Sequence, residues 1–596
     1  MCAIAAIIHQ NNTVIQPTDI NQMTDLARHR GPNGEGFYFG SNFALGHRRL
    51  AITDLSPEGS QPMVKDGYVI CFNGEIYNYS SLRQQFEAKG IQFLSDSDTE
   101  VLLQTYIQYG QDCVDHLDGM WSFIIFDPIK NLLFCSRDHV GMKPFYYAIF
   151  DQKMYIASEI KQILPFLKKK TANPEAIVDY LSLGLEDHLE ETFFSGIFKL
   201  LSGHNLIYDL SSHTVKKIRY SIFDHRNTFT ESDPIALVQK NIAEAVRLRA
   251  KAQVPIGVMI SGGLDSAVIG ACLTNTKHTY AIHARSLDKS QDELDYAKDV
   301  AYHLHLDLKI HTPKIDNWKD AMDSTLRVQE EPFANLSVVL QHQLFQKVKK
   351  DGVKVLLDGQ GADELFLGYR AYLFKMLKNY NIWQSYKIWQ EQKLFIAHSR
   401  LKTILYYLYM HCRYLINFNS FIQKKFIHKG MHKYFLYKKA LEKAGLGLNF
   451  PQWQAKEITQ YQLPHLLKYE DKNAMSQGIE TRLPYLSQSV VNLAMALPDD
   501  QKIRNGVTKF VLRKAFEKYL PSSIVWRKDK IGFGGPQNSF IIKNRSAIEA
   551  EINNSIFIQK ILQPSTAINK LPNDKIFRLY CLARWSQLFD VKHIYT

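Results

Sequence analysis

The stretch PIGVMISGGLDSAVIG (255–270) constrains the fold more than any other part of the chain. Its first half is typical of a buried strand, Gly262 and Gly263 form a turn, and an apolar helix follows. The same order recurs in HTYAIHA followed by ELDYAKDVAYHLH, and another apolar strand occurs in VKVLLDG. Strands that alternate with helices predict a parallel sheet covered on both faces, so we expect an α/β domain here.

The first two hundred residues have a different pattern, with short strands at close spacing. These strands are CAIAAII, YVICFNG, SFIIFD, NLLFCSR, PFYYAIF and MYIAS, separated by Gly, Asn and Asp turns. Two helical stretches, DINQMTDLARHR and DTEVLLQTYIQYG, each start with an aspartate suited to N-capping. We therefore expect a two-sheet domain over 1–225 with helices outside, a polar linker HRNTFTESDP, and a second domain over 235–596.

Composition limits the class of protein. At 596 residues the chain is long enough for about two to four domains. It contains no run of about 18 apolar residues, so we predict no membrane-spanning helix. MCAIAAIIHQ lacks the basic flank of an export signal, and the seven scattered cysteines lack the spacing of disulfide scaffolds or zinc sites. These features favour a reducing, cytoplasmic location.

The formal net charge of +13 comes from one segment. Residues 370–450 carry 15 Lys and Arg against 2 Asp and Glu, and 18 of their 81 residues are aromatic. Such a composition is compatible with binding to nucleic acid or with an anionic membrane surface. We favour a helical subdomain with buried aromatics and solvated lysines. No nucleic-acid partner is therefore expected, and membrane contact is the less favoured alternative.

The string SGGLDS lies where backbone amides and a helix N-terminus can approach a phosphate. Ser261 and Ser266 add hydroxyl donors, and Asp265 can hold a magnesium ion. Two adjacent glycines alone favour an ordinary turn. The complete string lacks GxxxxGK[ST] and resembles the pyrophosphate loop of enzymes that adenylate a carboxylate or similar oxygen.

A second string, VKVLLDGQGADELFLGY (353–369), also runs from an apolar strand into a glycine turn. Asp363 and Glu364 follow the turn, where a second carboxylate can complete a magnesium site with Asp265. Alone, such a turn is weak evidence, because Asp and Gly are common in loops. Paired with SGGLDS at one edge of a sheet, it predicts half of an active site.

Ten strings occur in one order along nearly the whole chain. They are Cys2, RHRGPNGEG, GHRRLAITDLSPEGSQPM, FNGEIYN, SDTEVLL, RDHVGMKPFYY, SGGLDS, DGQGADE, KYEDKNAMSQGIETRLPYL and RKDKIGFGGP. Together they resemble the glutamine-hydrolysing asparagine synthetase family. This resemblance implies a class II amidotransferase domain of the N-terminal-nucleophile (Ntn) hydrolase type, an α/β/β/α sandwich. It also implies a synthetase domain with a parallel sheet of the pyrophosphatase-loop, adenine nucleotide α hydrolase-like type.

The resemblance also implies roles for residues of the first domain. After removal of Met1, the Cys2 thiolate would attack the glutamine amide, with the freed α-amine as general base. Arg49 and Asp98 would bind the carboxylate and amine of glutamine. Asn73 and Gly74 would hold the oxyanion, and Glu75 would help to bind the substrate.

In the second domain, the resemblance implies binding of ATP and Mg²⁺, an adenylated acceptor and an attack by ammonia. Lys472 would stabilise negative charge on the phosphates, and Asp265 and Asp363 would hold the metal. The implied ATP-binding residues are Ile260, Ser261, Gly262, Gly263, Leu264, Asp265, Ser266, Ile282, Asp358 and Gly359. The implied acceptor-side residues are Gln360, Glu364, Glu480 and Arg482.

Three residues depart from the family pattern. Ala3 replaces a glycine or serine, Gln360 replaces a glutamate that handles a proton, and Ser487 replaces an aspartate. Aspartate is the expected acceptor, and another carboxylate, such as a uronic acid or a secondary-metabolite precursor, is the alternative. Dimers are common in the family that the chain resembles, so a homodimer is a possible assembly of this chain.

Overall fold

A computed structural model describes residues 2–11, 13–221, 223, 229–273, 279–286, 292–313, 315, 317–369, 371–372, 375, 426–435, 439, 442, 448–527 and 535–594. Most of the basic aromatic segment 370–450, and most of RKDKIGFGGP, therefore lie outside the described residues. The subdomain predicted there stays a prediction.

Strands in the described chain form two antiparallel sheets, one parallel sheet and two short ribbons. In chain order they are β1 (Ala3–His9), β2 (Gly34–Phe39), β3 (Phe43–Arg49), β4 (Met63–Lys65), β5 (Tyr68–Ile76), β6 (Gly119–Asp127), β7 (Leu132–Arg137), β8 (Tyr146–Phe150), β9 (Lys153–Ala157), β10 (Thr171–Ala172), β11 (Ile197–Lys199), β12 (His204–Asp209), β13 (Val215–Arg219), β14 (Ile256–Met259), β15 (Thr279–Ala284), β16 (Asp307–His311), β17 (Val355–Leu357), β18 (Glu480–Arg482), β19 (Ile503–Arg504), β20 (Val507–Thr508) and β21 (His593–Ile594).

The α-helices of the described chain lie mainly outside the sandwich and around the parallel sheet. They are α1 (Pro17–Leu26), α2 (Tyr79–Glu87), α3 (Asp98–Tyr109), α4 (Pro174–Leu183), α5 (Pro234–Arg249), α6 (Leu264–Cys272), α7 (Leu294–His303), α8 (Trp318–Gln329), α9 (Ser337–Lys350), α10 (Ala362–Leu365), α11 (Phe450–Lys456), α12 (Leu463–Met475), α13 (Gln488–Ala496), α14 (Asp499–Lys502), α15 (Phe510–Phe516), α16 (Ser522–Val525), α17 (Gln537–Asn554), α18 (Ile556–Ile561) and α19 (Asn573–Leu588). No described helix is long and apolar enough to cross a membrane.

The first domain is the expected α/β/β/α sandwich. One sheet has the order β11-β8-β9-β1-β3-β2, and the other has the order β13-β12-β7-β6-β5-β4. Alternate residues of β1 explain the layering, because Ile4, Ala6 and Ile8 pack between the sheets. Ala5 and Ile7 face the opposite side, where α1 covers the sheet, and α2 and α3 cover the second sheet.

The second domain contains the predicted parallel sheet, in the order β16-β15-β14-β17-β18. β14 pairs with β15 and β17, and every pairing in this sheet is parallel. The two strings that carry SGGLDS and DGQGADE thus leave adjacent strands at the same edge. Ligands of open parallel sheets bind at this carboxyl edge.

Both aspartate N-caps expected from the sequence are wrong. α1 begins at Pro17 after Gln16, so Asp19 lies inside the first turn. α3 is capped by Ser97, whose side chain accepts from the Thr99 N–H, and Asp98 is the first helical residue. In both helices the aspartate still lies near the positive end of the helix dipole. For Asp98, this leaves the carboxylate available to contacts other than its own helix.

The two domains share a hydrophobic core. Residues of β10, α4 and the following segment pack with α8, α17 and α19 in one cluster. β10 also pairs in parallel with β21, with Thr171 opposite His593. The segment around 171–197 therefore packs against the second domain as closely as against its own.

A buried guanidinium connects Cys2, directly before β1, to the second domain. Arg30 is completely buried and donates to both carboxylate oxygens of Asp471, at 2.8 and 3.3 Å. It also donates to Glu159 at 3.1 Å and to the Cys2 carbonyl at 3.2 Å. Removal of one member of such a network leaves a buried charge without its partner.

We expect Arg30→Met to lower the free energy of unfolding by about 3–5 kcal/mol, because Asp471 and Glu159 stay buried after losing this cation. Urea unfolding, followed by circular dichroism, measures the change. Arg247→Met is the control, since this exposed arginine pairs with Glu244 three residues away on α5, and it should change stability by about 0.5 kcal/mol or less. Equal stability of the two variants would contradict the role given to Arg30.

Candidate active sites at the domain interface

Cys2 directly precedes β1, and its contacts join the two sheets of the sandwich. Its backbone N–H donates to Asn73 Oδ1 at 3.0 Å. Asn73 lies on β5 of the other sheet, is completely buried, and donates from Nδ2 to Ser122 Oγ at 3.4 Å. The fold therefore brings the candidate nucleophile and a candidate oxyanion donor together.

The thiol of Cys2 needs a base. Burial raises the pKa of this thiol, and Arg49 is near enough to oppose the rise. His47, one strand away, is a poor candidate because burial lowers the pKa of its imidazole to about 3. This neutral ring contacts the Phe72 carbonyl through Nε2 at 3.1 Å. The nitrogen of Cys2 itself is the better-placed base once it is a free amine.

Gly74 occupies a position where only glycine fits. A Cβ added there would lie 2.0 Å from the Met120 carbonyl oxygen and 2.6 Å from the Phe72 ring. β5 and β6 approach this closely because residue 74 has no side chain. The backbone at the candidate oxyanion position is thereby fixed by packing.

Arg49 is held by the loop that follows β3. Its guanidinium donates to the carbonyls of Asp54 and Ser56, both at 2.7 Å. A Cβ at Gly59 would lie 2.4 Å from Arg49 Nη2, so the loop closes tightly around the side chain. This arrangement fixes a positive charge beside Cys2, as binding of a carboxylate requires.

Asp98 and Glu75 form a buried acidic pair. Asp98 Oδ2 accepts from the Ile76 N–H at 2.8 Å, and Glu75 Oε1 accepts from Thr53 Oγ1 at 2.6 Å. Burial raises the pKa of Asp98 well above its ordinary value, and Glu75 adds to the rise. Burial also raises the pKa of Glu75. A cation such as the amine of an amino acid would relieve this repulsion.

The SGGLDS loop is a compact turn at the start of α6. The hydroxyl oxygens of Ser261 and Ser266 are 3.0 Å apart, and Ser261 Oγ accepts from the Gly263 N–H at 3.2 Å. Gly262 has a φ of +83°, and a Cβ there would lie 2.7 Å from Tyr296 Cβ. Leu264 begins the helix, so the loop sits at its positive end.

Asp265 and Asp363 converge on one ammonium group. Lys509 Nζ lies 2.6 and 2.7 Å from the two carboxylate oxygens of Asp265 and 2.5 Å from Asp363 Oδ1. Carboxylate oxygens that meet at one positive charge fit a magnesium ion. The described residues contain no cluster of three or more candidate metal ligands.

The remaining candidate ATP residues lie at the same edge. The Ile260 N–H donates to the Ile282 carbonyl at 2.8 Å, which joins the ends of β14 and β15. A Cβ at Gly359 would lie 3.1 Å from Asp265 Cβ, so the turn after β17 packs on the phosphate loop. The Asp358 N–H donates to the Arg482 carbonyl at 3.1 Å.

Lys472 faces the domain interface. It is completely buried, pairs with Glu330, and lies 5.2 Å from the centre of the Tyr146 ring. Glu330 in turn accepts from the backbone N–H groups of Ile160 and Lys161 at 3.0 and 2.8 Å. Lys509, not Lys472, is the cation that contacts Asp265.

Glu480 and Arg482 lie between the two sites. Arg482 is completely buried and donates to Glu480 at 2.6 Å and to the carbonyls of Arg249 and Lys251 at 2.8 and 2.6 Å. Its Nη2 lies 3.4 Å from Glu75 Oε2 across the interface. β18 of the parallel sheet therefore lies directly behind the buried residues around Glu75.

Glu364 lies beside the candidate metal residues. Its carboxylate accepts from the Tyr369 hydroxyl at 2.9 Å. Burial, together with the neighbouring Asp363, raises the pKa of Glu364 to about 7. Gln360 lies in the turn between Gly359 and α10, close to Glu470 of α12.

Comparison with known proteins identifies the family. Residues 1–221 match the model of a glutamine amidotransferase domain, and residues 237–577, more than half of the chain, match that of asparagine synthase. The chain belongs to the asparagine synthase family.

Two named relatives and one solved structure are similar to parts of this chain. A putative asparagine synthetase [glutamine-hydrolyzing] 2 of Methanocaldococcus jannaschii is 33% identical over 63% of this chain and 76% of the relative. Asparagine synthetase [glutamine-hydrolyzing] 1 of Bacillus subtilis is 28% identical over 97% of this chain and 92% of the relative. Among solved structures, an allosteric regulatory enzyme of purine biosynthesis matches with a TM-score of 0.29 and 15% identity, over 52% of this chain and 80% of that chain.

One departure from the asparagine synthase pattern has a structural explanation. Ser487 is completely buried, and its hydroxyl caps α13 by accepting from the Val490 N–H at 3.3 Å. Aspartate and serine are both good N-cap residues. Serine in place of aspartate at position 487 therefore keeps the helix cap. It gives little information about which carboxylate substrate is amidated.

Several contacts in this family member were missed by sequence reasoning. Arg527 donates to the Gly262 carbonyl at 3.3 Å, and the Tyr485 hydroxyl donates to the Asp265 carbonyl at 3.0 Å. Arg527 and Tyr485 lie within two of the family-like strings. The strings therefore pointed to these positions, but they gave neither residue a function. Lys509 lies outside every string, and nothing in the sequence around it indicates its contact.

We expect Lys509→Met to lower ATP–pyrophosphate exchange by about 10²-fold or more, because Asp265 and Asp363 lose the charge that orients them. Exchange of labelled pyrophosphate into ATP, with aspartate present, measures this. Lys514→Met, on the helix that directly follows Lys509, is the matched control, since it removes a half-exposed lysine that pairs with Glu517. Exchange at the wild-type rate in Lys509→Met would contradict the assignment.

Proposed function

We propose that the chain is an ATP-dependent, glutamine-hydrolysing asparagine synthetase. It would release ammonia from glutamine in the first domain and adenylate the side-chain carboxylate of aspartate in the second. Attack by ammonia would then give asparagine, AMP and pyrophosphate. The Bacillus subtilis relative that matches along nearly the whole chain carries this name, which supports the proposal.

The first half-reaction uses the residues around Cys2. With Met1 removed, the nitrogen that Asn73 holds at 3.0 Å is an α-amine, and it takes the thiol proton. The sulfur attacks the glutamine amide carbon, and Asn73 and Gly74 stabilise the oxyanion. Ammonia leaves with the proton, and water hydrolyses the thioester to glutamate. Arg49 and the Asp98–Glu75 pair hold the two charged ends of the amino acid.

The second half-reaction takes place at the carboxyl edge of the parallel sheet. The SGGLDS loop and the N-terminus of α6 would bind the phosphates, and Ile260, Ile282, Asp358 and Gly359 would line the nucleotide site. Mg²⁺ held by Asp265 and Asp363 would neutralise the phosphates of ATP. Lys509 positions both carboxylates.

The contact between Arg482 and Glu75 carries this proposal. It places a strand of the adenylating sheet directly behind the residues that would bind glutamine. Ammonia is a volatile base that water protonates, so a short buried route between its source and its acceptor favours amide formation. Two unrelated domains on one chain would have no need for a shared buried wall of this kind.

The cell compartment and the substrates follow from the same assignment. The described cysteines are free thiols, which suits the reducing cytoplasm. The small-molecule substrates would be glutamine, ATP and aspartate. A homodimer is compatible with this function.

We expect Cys2→Ala to abolish glutamine-dependent asparagine formation and to leave ammonia-dependent formation intact, because only the first half-reaction needs the thiol. Asparagine measured by amino-acid analysis, with glutamine or ammonium chloride as donor, tests this. Cys272→Ala is the control, since this thiol lies on α6 away from the glutaminase strands. Glutamine use by Cys2→Ala would overturn the nucleophile assignment.

The acceptor is tested separately. Wild-type protein with aspartate, ATP and glutamine should form asparagine. If it hydrolyses glutamine and forms no asparagine, aspartate is the wrong acceptor. A screen of carboxylates by pyrophosphate release would then identify the correct one.

A further inference from the structure

The turn after β17 raises a chemical problem. Amide formation requires a group that takes a proton from the attacking nitrogen, and Gln360 stands where the family resemblance implies a glutamate. An amide side chain has no proton-accepting chemistry of this strength. Another group near residue 360 must take the proton.

A buried carboxyl lies against this turn. Glu470, on α12, is 1% exposed, and the side chains of Asp358 and Gln360 face it. Gln360 is a hydrogen-bond partner of this carboxyl group, and no lysine, arginine or histidine of the described residues forms an ion pair with it. A buried carboxyl without an ion pair is costly for folding alone.

The position of Glu470 connects it to the adenylation site. Asp358 and Gly359 follow β17, and a Cβ at Gly359 would lie 3.1 Å from Asp265 Cβ. The carboxyl that faces Asp358 and Gln360 is therefore separated from the phosphate loop by a single turn. From the other side, Lys143 of the first domain approaches, and it lies 3.5 Å from the neighbouring Asp471. Glu470 thus lies between the two half-sites.

Other carboxylates of this region are committed to cations or donors. Asp471 pairs with Arg30, and Glu480 pairs with Arg482 at 2.6 Å. Burial alone would raise the pKa of Glu480, but Arg482 and Lys143 contribute to lowering it to about 2. A carboxylate of such low basicity is a poor proton acceptor.

Glu470 has the opposite character. Burial raises its pKa well above the ordinary value, and Asp358 adds to the rise, while Gln360 and Lys143 oppose it. A carboxylate whose basicity is raised in this way accepts protons better near neutral pH.

We propose that Glu470 supplies the proton acceptor for amide formation that Gln360 cannot supply. The inference rests on the proposed amidation function. The nitrogen lone pair of ammonia forms the C–N bond with the acyl carbon of the adenylate, and one N–H proton passes to a Glu470 carboxylate oxygen. The C–O bond to the phosphate then breaks, and AMP leaves with the electron pair. The proton leaves Glu470 for solvent after the amide departs.

Glu470→Gln separates this role from the other steps. Amide formation from aspartate, ATP and ammonium chloride should fall by about 10²–10⁴-fold, as expected for loss of a general base. Glutaminase activity and ATP–pyrophosphate exchange should stay at the wild-type level, because neither step uses this proton. Glu244→Gln, on the exposed face of α5, is the control.

The double variant Gln360→Glu/Glu470→Gln returns a carboxylate to the same place from the turn. It should regain at least about tenfold in amide formation over Glu470→Gln, because the base is restored. This rescue distinguishes proton transfer from a structural role. If Glu470→Gln loses all three activities together, the double variant decides: regained amide formation supports the proposal, and no regain overturns it.

The pH profile provides a readout that packing alone would not change. At a fixed concentration of free ammonia, wild-type amide formation should rise with pH as Glu470 loses its proton, and this limb should vanish in Glu470→Gln. The groups facing Glu470 are Asp358, Gln360 and Lys143. The same limb in both proteins would overturn the proposal.

Failure of the proposed function has a different signature. Wild-type protein would then form no asparagine even with ammonium chloride. The variants would be compared with the carboxylate that wild-type protein does adenylate, and the same loss and rescue would be expected.

Discussion

The whole arrangement depends on compensating buried charge at the seam between the domains. Arg482 and Arg30 are both completely buried, and each bonds to carboxylates from both sides of the seam. Burying an unpaired guanidinium costs several kcal/mol, so each arginine requires the opposite domain in place. The glutaminase strands, β18 and α12 are consequently fixed relative to one another. These ion pairs across the domain interface therefore set the distances between the two candidate sites.

Most of the fold could be predicted because its strands and turns are local patterns. β1, β5 and β6 were visible as short apolar runs, and β14 followed by α6 was visible as a strand, a glycine turn and a helix. The helix starts were mispredicted because proline at Pro17 and serine at Ser97 compete with aspartate for the same positions.

The candidate sites were predictable only in part. Cys2, Asn73 and the SGGLDS loop carry chemistry that their own neighbours in sequence reveal. Lys509 contacts Asp265 across 244 positions of sequence, and no periodicity or spacing encodes such a pairing. Lys472 shows the converse, because the motif around it gave no information about its contacts with Glu330 and Tyr146. The contacts of Lys509 and Lys472 depend on how segments that are distant in sequence pack together, and local sequence patterns do not give this packing.

Two of the three departures from the family pattern have different physical meanings. Ser487 keeps a helix cap and changes nothing around it. Gln360 stands where the family resemblance implies an acid, and Glu470 on the neighbouring α12 is an acid that contacts it. A departure from a motif is therefore informative only when the surrounding side chains are known.

The hydrophobic core shared by α4, α8 and α19 makes the two domains structurally dependent on each other. Domains joined by a linker are often treated as interchangeable parts, to be expressed alone or recombined. Here the segment around 171–197 completes the interior of its neighbour, and β10 adds a strand to β21. A glutaminase half cut at the linker would carry a large apolar face into water. An exchange of either half for a relative's counterpart would therefore have to preserve that face.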